Sequence, residues 1–131
     1  MKTLATTLAC LAGVLASAGS HAADVKTLMT QDLPRFPGQE ATMLEVSYLP
    51  GDQDFVHRHD ADAFVYVLEG SIVMQLKGQP AVTLKAGDTF HEGVDDIHVV
   101  GRNASATAPA RFVVVLLKKK GAPVLTRVDA H

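Results

Sequence analysis

From residue 40 onward the chain alternates short apolar, β-branched stretches with compact turn signals, and no segment keeps a 3.6-residue repeat of useful length. The stretches are Ala41–Leu49, Phe55–His59, Phe64–Leu68, Ser71–Leu76, Ala81–Lys85, Thr89–His91, Ile97–Arg102 and Arg111–Lys118. Between them fall Pro50-Gly51, Glu69-Gly70, Lys77-Gly78-Gln79-Pro80, Ala86-Gly87-Asp88 and Gly93-Val94-Asp95-Asp96, residue types that reverse the chain. Many short strands punctuated in this way predict an all-β sandwich or barrel. Val113–Leu117 is apolar on both parities, which predicts a strand covered on both faces. The Lys118-Lys119-Lys120 run is expected to solvate its end. Residues 23–39 hold Pro34, Pro37 and Gly38 without a sustained period and read as an N-terminal arm, leaving 40–131 as one barrel domain with a C-terminal tail.

The first 22 residues change the picture. Lys2, an apolar run from Leu4 to Ala18, and small residues at Ser20 and Ala22 form the pattern of a cleavable secretory signal. Cleavage after Ala22 is expected, giving a periplasmic or secreted protein that begins at Ala23. The single cysteine, Cys10, leaves with the leader, so the mature chain has neither disulfide nor thiol ligand. Of twelve Lys and Arg only Lys2 is lost, so the formal charge moves from −2 to −3 against fourteen Asp and Glu. That balance argues against nucleic acid or an anionic membrane as partner after cleavage.

The chemistry lies in the histidines. His57 and His59 are one residue apart in an extended stretch, so their side chains share a face and can reach one ion. His98 follows in a second β-rich stretch. Without cysteine, any metal site must use nitrogen and oxygen. Asn103-Ala104-Ser105 fits a glycosylation sequon but reads more simply as part of a surface loop. His91 and Glu92 precede a turn and are candidates for a ligand or an acid/base group, against the plainer reading of a solvated edge. Arg58 lies opposite the histidine pair and suits a salt bridge. Glu69 reads as a turn residue, Phe64 and Tyr66 as packing residues on one parity, and His131 as a free terminus.

At these residues the sequence resembles the cupin superfamily, over about residues 40 to 118. Gly51, His57, His59 and Gly70 match its first motif, with Val67-Leu68-Glu69-Gly70 forming the closing turn. Gly87 and His98 match the second, although Asn103 comes one place late and Gly93 and Asp95 stand where Pro and Gly are usual. The resemblance implies a single-domain jelly-roll β-barrel, a metal at its wider mouth and homodimerisation through outer strands. It also implies a departure: the family's glutamate ligand falls at Ala63, whose methyl group binds no metal. The ligands carried over are then His57, His59 and His98, three neutral imidazoles that leave coordination positions open. Asp62, beside the vacant position, is aimed away by strand alternation. The ion that the resemblance implies is a divalent transition metal, and histidine ligands accept iron, nickel, copper, zinc or manganese. Two functions fit: an oxygenase- or isomerase-like metalloenzyme acting on a small oxygen-bearing molecule in a barrel lined by residues such as Val65 and Val67, or a non-catalytic cupin that senses or sequesters a small ligand or a metal.

Overall fold

Strand β2 (Gln39–Tyr48) shows the rule on which the molecule is built: every second residue from Glu40 to Tyr48 is buried and the alternate ones are half-exposed. The computed structural model describes residues 21–129, so Cys10, most of the expected leader and His131 lie outside the described residues. The other strands are β1 (Asp24–Asp32), β3 (His57–Arg58), β4 (Ala61–Glu69), β5 (Ser71–Leu76), β6 (Val82–Lys85), β7 (Thr89–Glu92), β8 (His98–Asn103), β9 (Ala110–Lys119) and β10 (Thr126–Arg127). Two five-stranded antiparallel sheets result, in the orders β1-β2-β9-β4-β7 and β10-β3-β8-β5-β6. All eight expected strands form at nearly the expected places, in an all-β jelly-roll barrel.

The core lies between the sheets. Leu44, Val46 and Tyr48 from β2, Val65 and Val67 from β4, Ile72 and Met74 from β5, and Phe112, Val114 and Leu116 from β9 form one buried cluster. Each large aliphatic or aromatic side chain removed from water this way contributes about 1.5–3 kcal/mol.

Three features differ from the sequence reading. Residues 24–32 of the expected arm form β1, a nine-residue strand paired with β2 through the Asp24↔Ser47 to Asp32↔Glu40 register. It is exposed along its whole length, so main-chain hydrogen bonds rather than buried side chains hold it, and no hydrophobic period announces it. The β9 run is covered on one parity only: Phe112, Val114 and Leu116 are buried, whereas Val113 and Val115 are half-exposed and Leu117 is exposed. Lys118 does not solvate the strand end. Its ammonium is buried, 2.5 Å from Glu40 Oε1 and 2.6 Å from the Ala122 carbonyl oxygen. That hydrogen bond holds the Glu40 carboxyl below its ordinary range.

Gly70 makes the tight β4–β5 turn. Its φ is 72°, and a Cβ there would lie 2.4 Å from the Pro109 carbonyl oxygen. Left-handed backbone costs an L-residue about 1–2 kcal/mol, and the contact is with backbone that cannot swing aside. Gly70→Ala is therefore expected to lower stability by about 3 kcal/mol in urea unfolding. A loss below about 1 kcal/mol would show that the turn can re-form around a methyl group.

Candidate metal centre

Four side chains converge between the sheets. His57 on β3 and His98 on β8 are direct cross-strand partners, and His59 follows immediately after β3. Glu92 ends β7, directly opposite Ala63 on β4. His57 Nε2 lies 3.3 Å from His98 Nδ1. The Glu92 carboxylate lies 3.5 Å from His59 Nε2 through Oε2 and 3.6 Å from His98 Nδ1 through Oε1. His57, Glu92 and His98 are only 3–4% exposed.

The backbone aims the rings. His57 Nδ1 donates to the Phe55 carbonyl at 2.8 Å, and His59 Nδ1 donates to the Val124 carbonyl at 2.6 Å. A carbonyl only accepts, so each proton is fixed on Nδ1 and each Nε2 lone pair faces inward. Phe55 is itself stacked beneath the Arg127 guanidinium, 4.0 Å from its centroid. Gly101 clears room for the third ring: a Cβ there would sit 2.8 Å from His98 Cε1 and 3.2 Å from the Tyr48 hydroxyl.

Burial tunes the charges. It pushes Glu92 up to about 7, with the Asp96 and Asp54 carboxylates adding to the effect. It drives His98 down to about 3, helped by repulsion from His57 and His59, and it lowers His59 as well. Among the described residues two buried side-chain polar atoms, Glu92 Oε2 and His98 Nε2, have no hydrogen-bond partner. An orphaned carboxylate oxygen amid imidazole nitrogens costs several kcal/mol unless a cation shares it. His57, His59 and Glu92 alone place three ligand atoms within 4.8 Å of one another, a group that can hold a metal ion. The donor set fits a divalent transition metal.

The structure thus brings together the three predicted histidines and, of the two acid/base candidates, Glu92. His91 has the opposite parity: exposed, its Nε2 lies 3.0 Å from Asp62 Oδ1 on the outer face. The position left by Ala63 is filled across the sheet by Glu92, because opposed residues share a face with Cβ atoms about 5 Å apart. Arg58 pairs with Asp60 at 3.3 Å, as expected of a salt bridge. Glu69 pairs with Arg111 at 3.6 Å, and Phe64 and Tyr66 are exposed on the outer face. Asn103 is buried, its amide donating to the Leu49 and Ala108 carbonyls, which makes it a loop anchor rather than a glycan acceptor.

Above the ligands lies a cavity of about 150 Å³ walled by Leu44, Val46, Met74, Phe112 and Val114. Val65 and Val67 pack in the core but do not line it. The half-buried Ala23, Val124 and Leu125 also line it, and Asp54 is the one acidic group among its described lining residues besides Glu92. Asp54 Oδ2 accepts the buried Tyr48 hydroxyl at 2.5 Å, and burial together with this carboxylate pushes the phenol well up. The sequence reading missed both. The usable signal was Tyr48 on the inward parity of Leu44 and Val46, since a buried phenol needs a polar partner.

The Cupin domain family matches residues 44–116, more than half the chain, and the protein belongs to that family. Comparison with curated proteins found no match. Among solved structures, the chain is similar to an uncharacterized conserved protein with a double-stranded β-helix domain from Klebsiella pneumoniae, at 15% identity, TM-score 0.65, and 83% and 86% of the two chains covered. It is similar to oxalate oxidase in complex with the substrate analogue glycolate, at 21% identity and TM-score 0.64, over 85% of this chain and 57% of that one. It also resembles a DMSP lyase from Ruegeria pomeroyi, at 18% identity and TM-score 0.58, over 66% of this chain and 42% of that one. These likenesses establish the fold.

The Ala63/Glu92 pair makes an exchange testable. Ala63→Glu alone buries a second carboxylate beside the first and should destabilise the protein. Ala63→Glu combined with Glu92→Ala returns one carboxylate to the same face and should recover most of the metal affinity that Glu92→Ala loses. Isothermal titration with Zn²⁺ measures both, and no recovery would mean that only β7 can deliver the ligand.

The charges make a second prediction. Unfolded Glu92 loses its proton near 4.5 and folded Glu92 near 7, so metal-free protein loses stability as pH rises between those values, by about 3 kcal/mol. His98 acts oppositely: it is protonated near 6.5 when unfolded and near 3 when folded, so its contribution is lost as pH falls from 6.5 to 3. Chelator-treated Glu92→Gln should therefore be more stable than the parent at pH 8, by up to about 3 kcal/mol, and Zn²⁺ should no longer raise its melting temperature strongly. Thermal melts at pH 5 and pH 8 separate the two contributions. A metal-free variant less stable than the parent at pH 8 would contradict the strained carboxylate.

Proposed function

We propose that this is an exported, metal-dependent cupin enzyme in which His57, His59, Glu92 and His98 hold one divalent transition ion and a small oxygen-bearing molecule reacts in the cavity above it. The observation that carries this reading is the buried, unpartnered Glu92 carboxylate facing imidazoles on the floor of an apolar cavity. A bound ion supplies Lewis acidity toward a substrate oxygen. The chain's own residues do the remaining work. The carbonyls of Phe55 and Val124 hold His57 and His59 in one tautomer, and Leu44, Val46, Met74, Phe112 and Val114 exclude water around the substrate. Asp54, fixed by Tyr48, is the wall group placed to accept a proton.

The cavity limits substrate size. With Ala22 still in its wall, a space of this volume holds about as many heavy atoms as benzene. Oxalate oxidase carries glycolate within the same fold, an analogue of that size and oxygen content. Its chemistry is analogy only.

The test is elemental analysis of protein purified from the compartment to which it is exported, followed by a turnover screen of small hydroxy, keto and dicarboxylic acids. One equivalent of metal with turnover that falls at least a hundredfold in Asp54→Asn supports an enzyme. Stoichiometric metal with saturable binding but no turnover would replace the enzyme with a binding protein.

A further inference from the structure

The cavity wall nearest the N-terminus contains an acid without a basic partner. Among the described residues no Lys, Arg or His side chain pairs with Asp54. Its Oδ2 accepts from Tyr48, and its Oδ1 accepts the main-chain nitrogen of Ala23 at 3.3 Å. Asp52 and Glu92 add further negative charge near Tyr48, and His59, the imidazole on which Asp54 also acts, is held below its ordinary range by burial. Ala23 is also the first residue after the small-residue pair Ser20 and Ala22 on which cleavage of the leader was expected.

We propose that cleavage after Ala22 makes the new α-ammonium group of Ala23 a built component of the cavity mouth, paired with the Asp54 carboxylate. This rests on the cleavage read from the sequence and is independent of the identity of the metal. The geometry needs no rearrangement. Asp24, the next residue, is held in register opposite Ser47 at the start of β1, and the Ala23 methyl packs against the core. Asp54 is held equally firmly, its own N–H donating to the Gly101 carbonyl at 2.8 Å. Hydrolysis of the Ala22–Ala23 peptide bond therefore leaves the nitrogen where it stands. A neutral amide with one N–H becomes a cation with three, and the contact becomes a charge-assisted pair.

Two further consequences follow from the same bond. Ala22 lines the cavity, so its departure opens that wall. His21, whose carbonyl accepts the Gln53 N–H at 3.1 Å, leaves too, and exposed Gln53 turns to water. Processing thus widens the mouth and places a positive charge there, with two donors free for an oxygen-bearing ligand. A precursor cannot present that group.

The experiment begins with the full chain expressed with export. Intact mass should show loss of residues 1–22. Another start would overturn the proposal at its premise while leaving the metal centre untouched. The α-amine is then labelled with ¹³C-methyl groups, which keep its charge, and titrated by NMR in the wild type and in Asp54→Asn. A free α-amine titrates near 7.7–8.0. In the wild type its proton affinity should be threefold to tenfold higher than in Asp54→Asn. Equal titration of the two would overturn the pairing. Should Asp54→Asn not fold, carbamoylation of the wild-type α-amine, which removes the charge, should lower the melting temperature at low salt and much less at 1 M salt. An unchanged melting temperature would also overturn it.

Discussion

A carboxylate without a hydrogen-bonded partner, buried among three imidazoles, is the constraint on which the rest of this barrel turns. Left alone, Glu92 must stay protonated to well above the usual carboxyl range, and His98 must stay neutral down to strongly acidic pH. Both are electrostatic penalties that folding must offset elsewhere. A divalent cation held by His57, His59 and Glu92 would reverse the sign of the Glu92 penalty, turning an unsatisfied carboxylate into a ligand. The apolar walls strengthen the effect, since charges interact more strongly where water is excluded.

Around that cluster the barrel supplies rigidity and room. Rigidity comes from main-chain carbonyls: Phe55 on the strand side and Val124 in the C-terminal tail each fix a histidine through its remote nitrogen. The tail is thus part of the centre's support, 65 residues in sequence from the ring it orients. Room comes from two missing side chains. Ala63 leaves the inward face of β4 free for the Glu92 side chain, and Gly101 lets His98 and Tyr48 approach where a methyl group would collide with the ring. Small residues at a crowded site are as specific as the ligands they accommodate.

The polar pair of Tyr48 and Asp54 sets the other wall. It is the point at which the N-terminal strand, the β2 core face and the loop before His57 meet, and it is acidic where the opposite walls are apolar. A cavity with imidazoles and Glu92 on its floor and a single acidic flank has one direction in which charge can be balanced or a proton moved. That asymmetry gives so small a space chemical orientation.

Alternation of apolar residues and turn chemistry determined eight of the ten strands among the described residues: the long strands β2, β4 and β9 bury every second residue, and the shorter ones are delimited by their apolar content and the turns between them. Spacing likewise determined that His57 and His59 share a face. The sequence did not reveal β1 or β10: an exposed edge strand and a two-residue bridge are held by main-chain hydrogen bonds that any side chains permit. Nor did it reveal how Glu92 relates to Ala63. That relation depends on pairing between strands 29 residues apart, and a one-residue slip of register would have sent Glu92 outward and His91 inward. Likewise Lys118, read as a solvated end, is buried because Glu40 on the neighbouring strand meets it. The sequence by itself determined which residues could face the interior; the tertiary structure decided which of them meet, since contacts across strands follow from register and not from distance along the chain.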